Sequence, residues 1–584
     1  MKKIISLQTV ILSLLLFSNL FAQNSTFNVN NTKMNQVLRS INEMYVDTVN
    51  FDHLVEIGVM EMLKELDPHS VYIPVKEVQA ANEPLQGAFD GIGVTFQIIK
   101  DTINVMEVLV GGPSEKVGLQ AGDKIIKVDT SNATGKGISN RWVQEHLRGP
   151  KGTKVTILVK RGKKSEPLEF TITRDKIPMN SINVYFMVDD KTGYVRLERF
   201  AQTSPDEFIT AMTKLKARGL ENLILDLRGN GGGYLEVAFR ISDQFLNPGQ
   251  LIVYTNNRNN ERQEFVSTGN GCFSKGKLIV LVDENSASAS EIVSGAVQDW
   301  DRGLVIGRRS FGKGLVQSQM NLLDNSLLRL TTAKYYTPSG RYIQKPYDEG
   351  KEAYNRDLDE RYEHGELLNA DSIVFADSLK YFTKGGRVVY GGGGIMPDIF
   401  IPMDTSKVSP FYNKLFRRGI YNSFISKYLE THRKQLKEQY PTYTDFQKKY
   451  QIDTLYANFI EYAKEEGVEN KPDIYFSNRL TDYIEKNKTK LDSVYNQMES
   501  LSSPYFATDF MDHLNRELAQ LNDPALQENT AKHIKKQLRF ALARSLYSFA
   551  DAYKIWLEDD KALKTARELI TDEKNFKKYR VSSK

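Results

Sequence analysis

Three serines separated by alanines, Ser286–Ser290, follow an apolar run of strand length that ends at Val282. A helical pattern begins near Ala289, so these serines lie where a strand gives way to a helix. Small side chains let another backbone approach closely, and the N–H groups at a helix N-terminus point at whatever lies before it. A serine hydroxyl there would have an oxyanion hole beside it. The alternative is that the serines only cap the helix, since serine is a preferred N-cap residue.

A single lysine stands between two glycines in Ser310–Gln317 (Ser-Phe-Gly-Lys-Gly-Leu-Val-Gln). Lys313 can take a proton from a serine only if its pKa falls from about 10.4 towards neutrality, which requires a dry site. Gln317 lies four residues further on, where a helix or a strand returns to the same side, so it is placed to hydrogen-bond the amine. The other interpretation is a surface lysine in a glycine-rich turn. A Walker A phosphate loop is excluded, because Gly314 stands where that motif needs serine or threonine.

A glycine-rich segment, Asp226–Gly233 (Asp-Leu-Arg-Gly-Asn-Gly-Gly-Gly), follows a second apolar strand and precedes a helix. Such a loop either cradles a phosphate or presents backbone N–H groups to a carbonyl oxygen. Because the segment lacks the Gly-x-Gly-x-x-Gly spacing of a dinucleotide fold, we favour the second use.

Histidine chemistry is poorly supported. None of the seven histidines falls between Gly193 and Ile343, the region that holds all three segments. No Gly-x-Ser-x-Gly elbow surrounds Ser286–Ser290, and no two histidines have His-Glu-x-x-His spacing. His69, in an Asp-Pro-His-Ser segment, is expected to be structural. The single cysteine, Cys272, excludes an intramolecular disulfide and a thiolate zinc site.

The elements around these segments alternate between strands and helices from Gly193 to about Ile343. Leu223–Leu227 and Leu278–Val282 are apolar runs typical of strands buried on both faces, and a helical pattern follows each. This order predicts an α/β core. Before the core, short β-like runs punctuated by glycine predict a small β-rich module that ends near Thr173, and the stretch that precedes it is helical.

Two polar regions carry no catalytic motif. The segment between Lys345 and Lys384 lacks apolar periodicity, which predicts a surface excursion. From about Pro410 the chain is charged and helical, which predicts a helical bundle or appendage. One apolar stripe in this region consists of Leu538, Leu542, Phe549, Tyr553 and Trp556.

The N-terminus has the order of a secretory signal peptide: a basic start, the apolar run Ile4–Phe21, and Ala22 at a cleavage point. The alternative is an uncleaved membrane anchor, since the run is nearly long enough to span a bilayer. We therefore expect an exported protein, periplasmic or otherwise extracytoplasmic, with no stable membrane span after cleavage.

Composition is that of soluble globular domains, with 40% hydrophobic and 26% charged residues in a chain of 584. This length suggests about three to four domains. The net charge of +5, from 78 basic and 73 acidic residues, gives no reason to expect a nucleic-acid partner, which needs a clustered basic face. No metal or nucleotide cofactor is expected.

The three chemical segments resemble those of the carboxyl-terminal processing (tail-specific) protease family, in content and in order. The family's Asp-Leu-Arg-x-Asn-x-Gly-Gly loop, Ser-Ala-Ser-Ala-Ser-Glu segment, Phe-Gly-Lys-Gly-x-x-Gln segment and Thr-Pro-Ser-Gly-Arg-x-Ile-Gln stretch match Asp226–Gly233, Ser286–Glu291, Phe311–Gln317 and Thr337–Gln344. By this resemblance Ser288 is the nucleophile, Lys313 the general base and Gln317 its orienting partner. The resemblance also implies an oxyanion hole formed by the N–H groups of Ala289 and Gly232.

The β-rich module resembles a PDZ domain, in which Gly91, Ile92, Gly93 and Val94 look like the carboxylate-binding loop. Such a domain adds the last residues of a substrate as a strand to a sheet edge and holds the terminal carboxylate on backbone N–H groups. The resemblance therefore implies protein or peptide substrates with accessible, mostly apolar C-termini.

The sequence thus predicts a multidomain α/β protein with a crotonase-like α/β serine protease core and an inserted PDZ-like domain. The predicted boundaries are 1–22 for the signal peptide, 23–85 for an N-terminal helical segment, 86–176 for the PDZ-like domain, 177–409 for the core with its insertion at about 345–384, and 410–584 for a C-terminal helical extension. The insertion and the extension depart from shorter family members, so homo-oligomerisation or adaptor binding through the helical regions stays open.

The predicted activity is that of a serine endopeptidase acting through an acyl-enzyme. One alternative is a PDZ scaffold with an inactive core, against which the intact Ser288, Lys313 and Gln317 argue. Another is an esterase of Ser–His–Asp type, which the absent elbow and histidine disfavour.

Overall fold

The structure is a computed structural model that describes residues 26–162, 166–470 and 523–580. The predicted signal peptide, 1–22, lies outside these residues. Contacts divide the chain into two units. The first contains the residues up to Val78 together with Gln317–Thr331 and Tyr347–Tyr354, and the second contains the rest.

The helices are 26–44 (α1), Phe51–Lys64 (α2), Val75–Gln86 (α3), Pro113–Lys116 (α4), Asn140–Leu147 (α5), Ser204–Lys216 (α6), Leu235–Asp243 (α7), Ala289–Asp299 (α8), Lys351–Glu363 (α9), Pro410–Arg417 (α10), Ile420–Gln439 (α11), Tyr443–Lys449 (α12), Asp453–Glu465 (α13), Pro524–Leu546 (α14), Phe549–Leu557 (α15), Lys561–Thr571 (α16) and Glu573–Arg580 (α17), with 3-10 turns at Ala370–Ser372 and Asp377–Leu379.

The strands are Val71–Ile73 (β1), Ala88–Gly91 (β2), Val94–Ile99 (β3), Thr102–Val108 (β4), Lys124–Val128 (β5), Ser131–Asn132 (β6), Lys154–Lys160 (β7), Leu168–Thr173 (β8), Asp175–Pro178 (β9), Val184–Met187 (β10), Thr192–Arg196 (β11), Asn222–Asp226 (β12), Leu251–Asn257 (β13), Arg262–Val266 (β14), Leu278–Val282 (β15), Leu304–Gly307 (β16), Leu315–Asn321 (β17), Leu327–Tyr336 (β18), Lys380–Phe382 (β19), Val388–Tyr390 (β20) and Ile399–Phe400 (β21).

The first unit contains α1 and α2 and the short strand β1, which pairs antiparallel with the start of β18. The turn between α2 and β1 is held by Asp67, whose carboxylate accepts the backbone N–H groups of His69 and Ser70 at 2.8 and 2.9 Å. His69 Nε2 lies 2.8 Å from the hydroxyl of Tyr354. His69 therefore sits in a hydrogen-bonded turn, in keeping with the structural role expected of it.

The β-rich module belongs to the second unit and forms an antiparallel sheet in the order β3-β4-β5-β7-β8, with β6 beside β5. Alternate residues of its strands point into one core, where Ile103, Ile125 and Ile157 are fully buried. A separate pair, β2 with β9, brings the two ends of the module together. Because entry and exit are adjacent, the module can be inserted into a larger chain without disturbing its own core.

The central sheet of the second unit has six strands in the order β10-β11-β12-β15-β16-β21. All neighbours from β11 to β21 are parallel, and β10 is antiparallel to β11. Every residue of Leu278–Val282 is fully buried, as expected for a strand covered on both faces. The α/β prediction is confirmed.

Different parts of the chain cover the two faces of this sheet. Helices α6, α7 and α8 pack on one face, against Leu225 and Val280 among others. Helices α16 and α17 pack on the other, where Ile224, Ile279 and Ile306 meet Leu563 and the residues around it. The last two helices therefore belong to the α/β core, which the prediction of a helical bundle or appendage did not anticipate.

Helices α10–α14 form a separate cluster, and α15 joins this cluster to the central sheet, since Ala552 and Ile555 belong to the cluster whereas Leu557 packs on the sheet. Fully buried side chains at the centre of the cluster come from helices far apart in the sequence, and they include Leu415, Phe446, Phe459, Leu538 and Leu542. The predicted helical character of this region is confirmed for its described residues. Within the described ranges, no helix combines the length and the apolarity that are needed to cross a bilayer.

The polar insertion after Gln344 is folded. It contains α9 and β19, which pairs with β20 just beyond it, and Arg361 and Leu367 are each 4% exposed. Most of its other side chains are exposed or half-buried, in keeping with the predicted surface excursion, but the buried ones include a charged side chain that hydrophobic periodicity does not detect.

Candidate active site

The serine segment forms the turn between β15 and α8. Ser288 is the residue just before α8 and has φ +56° and ψ −111°. A non-glycine residue with positive φ costs of the order of 1–3 kcal/mol and persists only where its surroundings hold it, often at a functional site. Ser286 supplies part of this hold, since its hydroxyl donates to the Leu227 carbonyl at 2.9 Å. Ser288 is half-buried, at the end of a helix whose first N–H groups need acceptors.

The glycine loop packs directly against this turn. The Asn230 carbonyl accepts the Ala287 N–H at 3.0 Å and the Ser290 hydroxyl at 2.8 Å. Gly232 has φ +101°, and a Cβ there would lie 2.8 Å from the Ala287 oxygen and 2.9 Å from Ser288 Cβ. Only glycine permits both this backbone conformation and this approach.

The loop between β16 and β17, residues 308–314, carries Lys313 and is called the lysine loop. It packs against the serine turn. Phe311 donates its N–H to the Ser286 carbonyl at 3.0 Å, and the Gly312 carbonyl accepts the Lys345 N–H at 2.9 Å. Lys313 is half-buried. The loop is therefore fixed from two sides by backbone hydrogen bonds.

A buried carboxylate joins the serine turn to the lysine loop. Glu291 is fully buried, and its Oε2 accepts the backbone N–H of Ser288 at 2.7 Å and that of Lys313 at 2.9 Å. Its Oε1 accepts the Gly312 N–H at 2.7 Å and the Ser310 hydroxyl at 2.6 Å. Burial raises the pKa of Glu291 to about 7, although these four donors favour the ionised form. One side chain thus sets the register between the two candidate catalytic residues.

Tyr335 gives a second link. It is 1% exposed, and its hydroxyl lies 3.2 Å from the Ser288 carbonyl oxygen and 2.6 Å from that of Lys313. Ser288 and Lys313, which the sequence paired, are thus brought to one place by two shared partners.

Gln317, the predicted orienting partner, belongs to the first unit. Its side-chain amide donates to the backbone carbonyl of His69 in the same unit. This contact fixes the direction of the Gln317 amide, and its predicted role toward the lysine stays a prediction.

The two predicted oxyanion donors differ in their surroundings. Ala289 is the first residue of α8, so its N–H is one of the donors at the N-terminus of that helix. Ala289 is also fully buried. The Gly232 N–H donates to Asn230 Oδ1 at 2.9 Å. Gly232 can therefore serve an oxyanion only if this bond is shared or broken.

The strand that precedes the glycine loop ends in a buried ion pair. Asp226 and Arg228 meet at 2.6 Å, and Tyr194 donates its hydroxyl to the same Asp226 carboxylate oxygen at 2.6 Å. Burial alone would raise the pKa of Asp226, but the Arg228 guanidinium holds it below its ordinary value. Arg228 also reaches Asp560, which caps α16, at 2.8 Å. The glycine loop is thereby anchored to the C-terminal helices.

The β-rich module contains a cleft of about 120 Å³ between β3 and α5. Ile92, Gly93 and Val94 of the predicted carboxylate-binding loop line it, and Gly91 ends β2 just before them. The other lining residues are mostly apolar and are Phe89, Phe96, Val143, Gln144, Leu147 and Arg148. The cleft therefore offers an apolar pocket beside a largely buried loop.

Sequence reasoning missed Glu291 and Tyr335. For Glu291 a signal was present, because Ser288 and Glu291 have the Ser-x-x-Glu spacing of a capping box. Tyr335 lies in a strand far along the chain, and no local pattern connects it with the serine turn.

Comparison with known families gives three matches along the chain. Residues 191–350 match peptidase family S41, and residues 91–172 match the PDZ domain. Residues 411–480 match a family of unknown function.

Two curated relatives are proteases. A carboxy-terminal-processing protease from Bartonella bacilliformis is 35% identical over 319 residues, which cover 53% of this chain and 72% of the relative. A probable CtpA-like serine protease from Staphylococcus aureus is 33% identical over 339 residues, which cover 57% of this chain and 67% of the relative.

Among solved structures, a photosystem II D1 C-terminal processing protease is 26% identical, with a TM-score of 0.31 and coverage of 53% of this chain and 89% of that one. The PDZ domain of a Vibrio cholerae carboxy-terminal protease, solved with a peptide, is 34% identical, with a TM-score of 0.15 and coverage of 15% and 97%.

Proposed function

The chain belongs to the carboxy-terminal processing serine proteases of peptidase family S41, and from this premise we propose that Ser288 is its nucleophile and Lys313 its general base. The observation that carries the proposal is the shared carboxylate of Glu291, which accepts the backbone N–H of both residues. Two loops held by one buried group keep the distance between their side chains nearly constant, as proton transfer requires.

The reaction is acyl transfer. The neutral amine of Lys313 takes the proton of the Ser288 hydroxyl while Oγ attacks the carbonyl carbon of the substrate. The resulting oxyanion accepts the N–H of Ala289, and that of Gly232 once it is shared with Asn230. The lysine ammonium then protonates the leaving amine, and water hydrolyses the ester on Ser288 with the same lysine as base. In this scheme Gln317 orients the lysine amine.

The substrates are polypeptides whose C-termini enter the PDZ cleft. The apolar lining of this cleft supports a preference for an apolar last side chain, and the loop Gly91–Val94 provides backbone N–H groups for the terminal carboxylate. The basic and apolar N-terminus, outside the described residues, supports export before these substrates are met.

The test is cleavage of an unfolded reporter with an apolar C-terminus by the parent protein and by three variants, Ser288→Ala, Lys313→Ala and Lys313→Arg. Arginine keeps the positive charge but cannot lose its proton, so it separates a base from a merely electrostatic role. We expect all three variants to lose cleavage while they bind the reporter like the parent. Cleavage by Lys313→Arg at the parental rate would refute the base assignment, and cleavage by Ser288→Ala would refute the nucleophile.

A further inference from the structure

The helix α9 lies in the insertion and has little apolar surface with which to dock. Its sequence, Lys-Glu-Ala-Tyr-Asn-Arg-Asp-Leu-Asp-Glu-Arg-Tyr-Glu, is dominated by charged residues. Its second half is nevertheless held against the core, because Asp357 pairs with the buried Lys345 at 3.0 Å and Arg361 is only 4% exposed. Polar contacts therefore fix this helix in place.

The guanidinium of Arg361 binds the backbone of the lysine loop. Its two terminal nitrogens donate to the backbone carbonyls of Arg309 at 2.8 Å and of Ser310 at 3.2 Å. Glu366 lies 3.4 Å from Arg361 and 2.5 Å from Arg309, so it balances the charge of both arginines. Burial lowers the pKa of Arg361 to about 10, which leaves it charged at neutral pH. Hydrogen bonds from a charged donor are about twice as strong as neutral ones.

Ser310 passes this constraint to the candidate catalytic residues. Its carbonyl is held by Arg361, and its hydroxyl donates to Glu291 Oε1 and accepts the Ile395 N–H, both at 2.6 Å. Glu291 in turn binds the backbone of Ser288 and of Lys313. A continuous set of hydrogen bonds thus leads from α9 to the serine–lysine pair.

A second contact from the insertion reaches the same loop. The Lys345 amine, held by Asp357 of α9, lies 4.3 Å from the centre of the Phe311 ring. The Lys345 N–H donates to the Gly312 carbonyl at 2.9 Å. The insertion therefore touches the lysine loop on both sides of Ser310.

We propose that the insertion is a built-in positioning element of the protease and that Arg361 is its positioning residue, holding the lysine loop in register with Ser288. Arg361 lies beyond residues 191–350, the part of the chain that matches the model of peptidase family S41. The proposal rests on the serine–lysine function proposed above.

The experiment compares Arg361→Ala and Arg361→Lys with a matched control, Arg302→Ala. Arg302 is a half-buried arginine that likewise donates to backbone carbonyls, those of Phe245, Gly276 and Phe273 at 2.8–2.9 Å, but at the opposite end of the central sheet. Cleavage of the apolar-tailed reporter gives kcat and KM, and thermal unfolding gives the midpoint of each full-length variant.

We expect Arg361→Ala to lower kcat about 10- to 100-fold with KM within about twofold of the parent, because a displacement of about 1 Å in an active site costs a factor of this order. Arg361→Lys, whose single nitrogen replaces a two-nitrogen fork, should recover part of the loss. Arg302→Ala should lower the thermal midpoint and leave kcat per folded molecule unchanged.

The proposal is overturned if Arg361→Ala keeps the parental kcat, or if Arg361→Ala and Arg302→Ala lose activity by the same factor. If Arg361→Ala does not fold, Arg361→Lys decides, since a kcat equal to that of the parent contradicts the proposal. Failure of the underlying function is seen separately, because Ser288→Ala and Lys313→Ala would then still cleave.

Discussion

Glu291 offers the sharpest perturbation of the active-site geometry. Its carboxylate accepts four hydrogen bonds, three from backbone N–H groups and one from a hydroxyl. Alanine at this position removes all four acceptor contacts in a fully buried site. Each buried donor left without an acceptor costs about 1–3 kcal/mol, so the three N–H groups together would cost about 3–9 kcal/mol if nothing moved. We expect the serine turn and the lysine loop to move apart instead.

Glutamine separates the loss of shape from the loss of acceptors. With its oxygen facing Ser288 and Lys313, its NH₂ group faces the Ser310 hydroxyl, which can accept, and the Gly312 N–H, which cannot. In Glu291→Gln the backbone N–H of Gly312 therefore loses its acceptor, which costs about 1–3 kcal/mol. The expected order of kcat is Glu, then Gln about 10-fold lower, then Ala at least 100-fold lower, because displacements of about 1 Å cost about 10²-fold.

The assay is steady-state cleavage of the apolar-tailed reporter, together with thermal unfolding of each variant. Asp243→Asn is the control, because Asp243 is a buried carboxylate that accepts from Ser267 and Thr268 and does not contact the catalytic loops. We expect this control to lower the thermal midpoint without lowering kcat. A folded Glu291→Ala protein with the parental kcat would refute the reasoning, as would equal losses for Glu291→Gln and Asp243→Asn.

Three further predictions concern stability, binding and the C-terminal helices. Because the pKa of Glu291 rises from 4.5 to about 7 on folding, its contribution to stability is fully present below pH 4.5 and is lost as the pH rises through 7. The free energy of unfolding of the parent, measured in urea, should therefore fall by about 3 kcal/mol relative to that of Glu291→Gln over this range, and parallel pH curves for the two proteins would contradict the assignment. Gln144→Trp, at the mouth of the PDZ cleft, should raise KM for the apolar-tailed reporter about 10-fold, a loss of about 1.4 kcal/mol in binding, and leave kcat unchanged; Glu145→Trp is the control, and equal effects of the two would refute a specific role for the cleft. A chain that ends at Tyr547 lacks α15–α17 and uncovers one face of the central sheet, so we expect it to be insoluble; a soluble, active product by size-exclusion chromatography would show that these helices are dispensable.

The central sheet and the serine turn could be predicted because their signals are local. The fully buried run Leu278–Val282 reads as a strand covered on both faces, and Ser286–Ser290 follows it directly. The proximity of the serine and lysine segments came from a resemblance, since no spacing rule connects positions that lie 25 residues apart in separate loops.

Other features depend on contacts between distant segments. Arg361 is buried by hydrogen bonds to backbone carbonyls, and a charged helix without apolar periodicity gives no sign of this burial. The bond from the Gly232 N–H to Asn230 Oδ1 is set by the exact conformation of the glycine loop, which its composition does not determine. The docking of α16 and α17 on the central sheet joins regions almost 300 residues apart, as the contact of Lys277 with the Ile570 carbonyl illustrates.

The most direct test of the serine–lysine mechanism is chemical replacement of the lysine amine. In a Cys272→Ser background, Lys313→Cys provides a single thiol for alkylation, because Cys272 is the only cysteine of the chain. Bromoethylamine then rebuilds an amine of nearly the same length, whereas iodoacetamide adds a neutral group as the control. We predict that the variant does not cleave the reporter until bromoethylamine restores cleavage, and that iodoacetamide restores none. Cleavage before alkylation, or equal recovery with both reagents, would contradict the role of Lys313 as the base.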